Sequence, residues 1–412
     1  MTIATAGPIN ATSAAVATSD ASTSRAMRSR LASVDVVRGI IMILMALDHT
    51  RDFVGNAAAS PTNLATTTAT LFLTRWVTHF CAPTFFLLTG TGAYLSRRRR
   101  TTSDLSRFLV TRGLWLVVLE LTVVRFLWQF NVDYRLTLLD VLWALGWSMI
   151  VLGVLVHLPT RAVAAFGLML IAVHNAFDGV KVAGDVAGAL RTVLHVPGIL
   201  LPGPAHVVFL AYPLVPWVGV TAVGYALGAL YDLDAERRRA LLLRFGLGAI
   251  ALFLVLRAIN TYGDPLKWAP QKDGVFTLLS FLNVNKYPPS LLFLLMTLGP
   301  VMLALRALDG RVPAWLRPAS IVGAVPMFYY LAHIAVLHLV AVAMCLARYG
   351  SIRPAVESPT LDRFPMTQLP GWPLSLPLVY LAWIGVVMVL YPLCRWYAGV
   401  KQRSRNPWLS YL

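Results

Sequence analysis

The chain has 412 residues, of which 58% are apolar and 13% are charged, whereas soluble domains carry roughly 25% charged residues. The apolar residues form long runs with few charges, which argues against a soluble protein and predicts an integral membrane protein with several spans. The net charge of +17 would suit a nucleic-acid binder, but the basic residues lie in short segments between apolar runs. That distribution is typical of membrane proteins, so the expected partner is the lipid bilayer and no nucleic acid.

In chain order, residues 1–30 are rich in Ala, Thr and Ser and lack the apolar core of a signal peptide, which predicts a disordered cytoplasmic tail. Residues 31–400 predict a single transmembrane domain, and residues 401–412 a basic cytoplasmic tail. The predicted fold class is all-α, a bundle of about ten spans, because a helix needs about 20 apolar residues to cross the hydrocarbon core. The predicted spans are residues 34–54, 71–95, 108–128, 137–157, 162–178, 206–230, 241–258, 287–306, 321–347 and 374–395.

The distribution of arginines predicts the orientation of these spans. Basic clusters such as residues 97–100 and 237–239 fall in alternate short loops, whereas the loops near residues 178–191 and 348–363 are longer and mixed in sign. Because Lys and Arg concentrate in cytoplasmic loops, both termini are expected in the cytoplasm. We expect a multi-pass protein of the cell (inner) membrane.

Three ionisable residues stand out in the first span, Asp35, Arg38 and His49, in a region where charges are costly and mark function or a specific partner. Eleven positions at 100° each leave a net turn of about 20° between Arg38 and His49. The two side chains therefore share one helix face, about 16 Å apart. Asp35 lies one turn before Arg38 and can pair with it. Gly39 allows another backbone or a ligand to approach closely.

These residue types suit an extended, phosphorylated donor such as an acyl-coenzyme A. The guanidinium of Arg38 can bind phosphate, with Asp35 and Gly39 beside it, and the imidazole of His49 can act as base, acid or nucleophile. The alternatives are a snorkelling Arg38 and a His49 that only bonds to another helix. Asp48 is a candidate to orient the His49 ring.

Other polar residues are expected near the outer ends of spans. Asp140 opens the fourth span at about the depth of His49, and Lys286 and Tyr287 precede the eighth. With prolines in its first turn, the eighth helix would present its positive end, together with Lys286, to an anionic acceptor. The alternative is that Lys286 and Tyr287 are interfacial anchors.

Histidines and cysteines complete the candidate residues. His333 and His338 are five positions apart in the ninth span and do not share a face well, so one of them, but not both, is a candidate to face a tunnel. For each of them the alternative is an interhelical hydrogen bond. The cysteines at positions 81, 345 and 394 have neither a disulfide nor a metal-ligand spacing, so no metal cofactor is expected.

Four motifs resemble the transmembrane acyltransferases, and most closely the membrane proteins related to heparan-alpha-glucosaminide N-acetyltransferase. The first, RLASVDVVRG, ends at Gly39 and is followed by His49, and the acyltransferase-3 family has the same Arg-Gly with a His eleven residues after the Arg. The others are APTFFLLTG, KYPPSLL with MTLGP, and PMFYYLAH. They occupy residues 82–90, 286–292, 296–300 and 326–333.

The resemblance implies transfer of an acyl group, acetyl first of all, from cytoplasmic acetyl-CoA or another acyl-CoA through a membrane-embedded tunnel. The acceptor would be a glycan, lipid or small molecule at the outer face. Heparan-alpha-glucosaminide N-acetyltransferase itself, a lysosomal enzyme, has an Asn at the position of His49. Its catalytic His lies in the loop before the second span, and this chain has no His in that loop. His49 must then serve as in the acyltransferase-3 pattern, or His79 must substitute for it.

The sequence therefore predicts an O- or N-acyltransferase that depends on acyl-CoA, with His49, Asp48, Asp140, His79 and His333 as catalytic candidates. A transporter or flippase that uses the same intramembrane charges is the first alternative. A non-catalytic membrane interaction protein is the second. The sequence is compatible with a homodimer.

Overall fold

The computed structural model of the chain describes residues 11–56, 59–203 and 206–404, and it is mostly helical. The helices are α1 (Ala11–Val54), α2 (Ala69–Thr78), α3 (Cys81–Ser96), α4 (Thr102–Leu119), α5 (Arg125–Gln129), α6 (Val141–Leu155), α7 (Thr160–Val173), α8 (Asp185–Leu194), α9 (Leu214–Gly228), α10 (Ala235–Ile259), α11 (Gly274–Leu282), α12 (Leu291–Leu308), α13 (Arg317–Ala324), α14 (Pro326–Tyr349), α15 (Arg353–Val356) and α16 (Leu376–Arg403). The strands are β1 (Leu136–Leu139), β2 (Gly198–Leu201) and β3 (Val207–Leu210).

Helical segments long and apolar enough to cross a membrane number seven in the described part of the chain. They are Ala69–Arg99, Thr160–Phe177, Leu214–Asp232, Ala235–Ile259, Leu291–Leu308, Pro326–Tyr349 and Leu376–Arg403. Helix α6 is apolar but shorter, and α1 and α4 overlap the predicted first and third spans. The chain is thus a multi-pass membrane protein. The number of ten spans and the orientation stay predictions.

A small sheet departs from the predicted all-α class. Its strand order is β1-β3-β2, with β1 parallel and β2 antiparallel to β3. The strands β1 and β3 fall at the starts of the predicted fourth and sixth spans, so those helices begin later than predicted, at Val141 and Leu214. The reason is that a short apolar run has no periodicity that separates a strand from a helix.

Two predicted spans are interrupted in the structure. The second breaks at His79 and Phe80, between α2 and α3, where Pro83 in the first turn of α3 has no N–H for the His79 carbonyl. The ninth divides at Val325 into α13 and α14. A π-helical turn, Glu120–Val124, joins α4 to α5.

Helix α1 lies at the centre of the bundle, in contact with α2, α3, α12, α13, α14 and α16. Helix pairs approach closely where glycines face each other, as expected for membrane helices that pack through small residues. These facing pairs are Gly39–Gly323, Gly90–Gly224, Gly113–Gly146, Gly167–Gly219 and Gly246–Gly299.

The predicted terminal tails lie only partly in the described chain. Helix α1 begins at Ala11, within the predicted N-terminal tail, and residues 1–10 lie outside the described residues. Helix α16 continues to Arg403, into the predicted C-terminal tail, and residues 405–412 also lie outside. The three cysteines are free and buried.

Candidate active site

Arg38 and Asp35 form the ion pair predicted from their spacing. Nη1 of Arg38 lies 3.0 Å from Oδ1 of Asp35 and donates to the Gly323 oxygen at 2.9 Å. Gly39 faces helix α13, where a Cβ atom would lie 1.8 Å from the Ala319 oxygen. Of the two alternatives for Gly39, the close approach of another backbone is the one found here.

A cavity of about 360 Å³ opens beside Arg38, a volume in the range of small-molecule sites. Three cationic side chains line it, Arg38 of α1, Arg112 of α4 and Lys401 of α16, and the last two lie within electrostatic range of each other. Most of the remaining wall is apolar. It includes Met42, Met45, Phe85, Leu88, Leu142 and Leu145.

The cavity extends from the cations toward the histidines of the site. Met45 and Tyr330 line its wall. Met45 precedes His49 by four residues on α1, a rise of about 6 Å, and Tyr330 precedes His333 by three residues on α14. His49 is not itself a wall residue, so it lies one helical turn beyond the Met45 part of the cavity.

His49 and His333 form a stacked pair. Nδ1 of His49 lies 2.7 Å from Nε2 of His333, and the ring centroids are 5.0 Å apart. Nδ1 of His333 lies 2.9 Å from the Tyr329 carbonyl oxygen, and only a protonated nitrogen can donate to that oxygen. In the neutral pair, Nε2 of His333 is therefore unprotonated and accepts a hydrogen bond from the Nδ1–H group of His49. Nε2 of His49 then carries a lone pair and has no hydrogen-bond partner among the described residues.

No hydrogen bond joins Asp48 to the His49 ring in the described chain, so Asp48 does not orient the ring by the direct contact that was predicted. Its carboxylate forms an ion pair with Arg75 of α2 and lies 3.2 Å from Nη2 of Arg51. The side chain is engaged because an intramembrane carboxylate needs nearby cations. The group within hydrogen-bond distance of the His49 ring is another imidazole, that of His333 on α14.

Several of the other predicted site residues surround this pair. Lys286 lies within electrostatic range of His49, His79, Asp48 and Asp140. The Lys286 ammonium is 5.1 Å from the Tyr287 ring centroid. Lys286, Asp48, Asp140 and His79, together with Arg51 and Arg75, are called the polar chamber below.

The predicted anion site at the positive end of α12 is wrong. The helix begins at Leu291, so both prolines precede it rather than lying in its first turn. Its first N–H groups already have acceptors: Leu291 donates to Asn175 Oδ1 at 2.8 Å, Leu292 to the Gly263 oxygen at 2.9 Å and Phe293 to Ser290 Oγ at 3.0 Å. Of the two features predicted to attract an anion before α12, the ammonium of Lys286 is the one that remains.

The other histidines have different surroundings. The two ring nitrogens of His338 lie 2.8 and 2.7 Å from the carbonyl oxygens of Leu127 and Ala355, and whichever nitrogen carries the proton donates an interhelical hydrogen bond. His79 is buried at the break between α2 and α3, against the ring of Phe293. Its Nδ1 atom has no hydrogen-bond partner within the described chain.

Sequence reasoning missed Arg75, Trp128, Tyr330 and the contribution of Lys401. Arg75 had a usable signal, since it is a charge within a predicted span. Trp128 packs edge-on against His49 at a centroid distance of 4.9 Å, a contact that spacing does not predict. Lys401 was assigned to a tail, but α16 carries it to the cavity.

The chain matches the sequence family described as heparan-alpha-glucosaminide N-acetyltransferase, catalytic, over residues 30–257. The match covers more than half of the chain. It includes Arg38, His49, His79 and Asp140, whereas Lys286 and His333 lie beyond it. No curated protein sequence matches the chain.

Proposed function

Because the chain belongs to the heparan-alpha-glucosaminide N-acetyltransferase catalytic family, a family of membrane acetyltransferases, we propose that it is an acyl-CoA-dependent acyltransferase. It moves an acyl group, acetyl first of all, from the cytoplasmic side of the cell (inner) membrane to an acceptor at the outer side. The acceptor class is a glycan, lipid or small molecule with a hydroxyl or amino group. The N-in, C-in orientation is part of this proposal.

The observation that carries the proposal is the cavity between the cations and the histidine pair. Arg38, Arg112 and Lys401 offer charge to the phosphates of coenzyme A, and guanidinium groups bind phosphate through paired N–H donors. The apolar wall suits an extended thioester arm that reaches toward the histidines. Since Arg38 and His49 are about 16 Å apart along α1, one long donor is needed to engage both ends.

In the proposed reaction, Nε2 of His49 removes the proton from the acceptor hydroxyl or amine, and the acceptor attacks the thioester carbonyl. The carbon–sulfur bond breaks, and the thiolate takes the proton from His49 and leaves as coenzyme A. His333 holds the His49 ring through its 2.7 Å contact. The same lone pair could instead attack the thioester and form an acyl-imidazole before the acceptor arrives.

The polar chamber is the proposed acceptor side. Lys286 and Arg75 supply positive charge there, and Asp48 and Asp140 supply carboxyl groups near the reacting imidazole. An acceptor with hydroxyl or amino groups can bind such a mixed surface through several hydrogen bonds. Lys286 and Tyr287 remain the proposed acceptor-binding residues, and Asp140 and Asp48 act through the chamber rather than on the ring.

The test measures transfer of label from radiolabelled acetyl-CoA to an extract of lipids and glycans from the expressing cells. His49→Ala is expected to lower turnover by about 10²–10⁴ while acetyl-CoA binding to the purified protein persists. His79→Ala, in the alternative catalytic position, is expected to retain turnover. If His79→Ala has no turnover while His49→Ala retains it, His79 and not His49 is the catalytic residue. A wild type that moves a solute without transferring acyl groups would replace this proposal with a transporter.

A further inference from the structure

Two buried hydrogen-bond donors beside the histidine pair lack an acceptor of normal geometry in the described part of the chain. They are the Tyr330 hydroxyl and the Trp128 indole N–H, whose residues are 5% and 6% exposed. Neither atom makes a hydrogen bond of normal geometry with any part of the chain that the structure describes. Because buried polar groups are almost always paired, two such donors at one place indicate that an acceptor from outside the chain belongs there.

Both donors belong to residues in contact with the catalytic candidates. The Trp128 indole meets His49 edge-on at 4.9 Å between centroids, and the Tyr330 ring meets His333 at 5.6 Å. The Trp128 nitrogen is close enough to the Tyr330 oxygen for a weak hydrogen bond, so an oxygen atom of a ligand would have to replace the Tyr330 oxygen as the acceptor of the indole N–H. Tyr330 also lines the cavity, so one residue contacts both the donor cavity and the His333 ring.

Neither carboxyl group within electrostatic range of Tyr330, that of Glu120 or that of Asp140, accepts a hydrogen bond from its hydroxyl in the described structure. Glu120, from the π-helical turn, accepts the backbone N–H of Leu142 at 3.0 Å, at the start of α6. Asp140 lies in electrostatic range of Tyr330 without a hydrogen bond between them in the described structure. An uncharged oxygen that gains negative charge during a reaction would satisfy both donors.

We infer that the Tyr330 hydroxyl and the Trp128 indole N–H bind the carbonyl oxygen of the acyl thioester and stabilise its negative charge. This assignment rests on the proposed function. When the acceptor attacks, the carbonyl electron pair moves onto oxygen, and the two donors bond to that oxyanion more strongly than to the carbonyl. The oxyanion then collapses, the carbon–sulfur bond breaks, and the thiolate leaves with the proton held by His49.

The test compares Tyr330→Phe with the matched control Tyr329→Phe. Tyr329 is the preceding residue on α14, its ring also stacks on His333, and its hydroxyl is also buried without a partner in the described residues. It does not line the cavity. We expect Tyr330→Phe to lower kcat about 10²–10³-fold with little change in acetyl-CoA affinity, the loss typical of one oxyanion donor. Tyr329→Phe should retain the wild-type kcat.

Infrared spectroscopy of bound acetyl-CoA labelled with ¹³C at the carbonyl measures the hydrogen bonding of that carbonyl. A change in the packing of residue 330 alone would not shift this band. The carbonyl band should lie at lower frequency in the wild type than in Tyr330→Phe, because hydrogen bonding weakens the C=O bond. Trp128→Phe should raise the band as well. An unchanged band and kcat in a folded Tyr330→Phe, or equal losses in Tyr330→Phe and Tyr329→Phe, would overturn the inference. A wild type without transferase activity would overturn the proposed function and this assignment together.

Discussion

Replacing His333 should reveal whether His49 depends on another imidazole for its orientation. In His333→Phe the ring remains but the acceptor at 2.7 Å from Nδ1 of His49 is lost. The hydrogen bond of His333 to the Tyr329 oxygen is lost as well, so nothing on α14 then selects the His49 tautomer with a basic Nε2. We expect a folded protein with reduced turnover and unchanged acetyl-CoA binding.

The magnitude follows from the change in the His49–His333 bond during the reaction. A neutral hydrogen bond contributes about 0.5–1.5 kcal/mol and one to a charged group about 1.5–3 kcal/mol. When His49 takes the acceptor proton, its bond to His333 passes from the first class to the second, a gain of about 1–1.5 kcal/mol. That gain alone is roughly tenfold in rate. In a serine-protease triad, a histidine fixed in the wrong tautomer lowers kcat by about 10⁴, and we take this as the upper limit of the loss in His333→Phe.

The assay measures kcat and KM for acetyl-CoA in His333→Phe, His333→Gln and the control His338→Gln. The amide oxygen of glutamine reaches roughly the position of Nε2, so His333→Gln should recover part of the turnover. His338→Gln changes a histidine that bonds to main-chain oxygens away from His49, and it should stay near the wild-type kcat. A folded His333→Phe with the wild-type kcat would refute the idea that His333 orients His49.

Two further predictions concern the donor end and the orientation. Arg38→Ala should weaken acetyl-CoA binding more than Arg38→Lys, because lysine keeps the charge without the paired donors, and isothermal titration of the purified proteins would measure this. Wild-type affinity in Arg38→Ala would reduce Arg38 to a snorkelling residue. Reporters fused after Arg100 and after Arg239 should score cytoplasmic and one within residues 62–68 external, and the reverse pattern would exchange the donor and acceptor sides.

The local geometry of α1 was predictable because it depends only on the helical repeat. The pairing of Asp35 with Arg38 follows from a three-residue spacing, and the structure contains it at 3.0 Å. The shared face of Arg38 and His49 follows from the same repeat, and the cavity beside Arg38 extends along α1 to Met45, one turn before His49. Such features need no knowledge of other helices.

The contacts that involve other helices were not predictable in the same way. His49 and His333 are 284 positions apart, and no repeat relates them. From the sequence alone, Asp48 is an equally reasonable partner for the His49 ring. In the structure, Arg75 of α2 forms an ion pair with the Asp48 carboxylate instead. The strands at the starts of two predicted spans show the same limit, because hydropathy measures burial and not backbone conformation.

Two helices supply the central part of the proposed site, and this limits how much the distances between its residues can vary. Helix α1 carries Arg38 and His49, and α14 carries Tyr330 and His333 one turn apart. Residues on one rigid helix keep a fixed separation, so the distance from phosphate to base and the distance from oxyanion donor to orienting imidazole are each set by the helical rise. The docking of α1 against α14 must be specified by packing, as must the position of α5, which carries Trp128. The 2.7 Å contact between the two imidazoles lies at that junction, so errors in docking would act directly on the base.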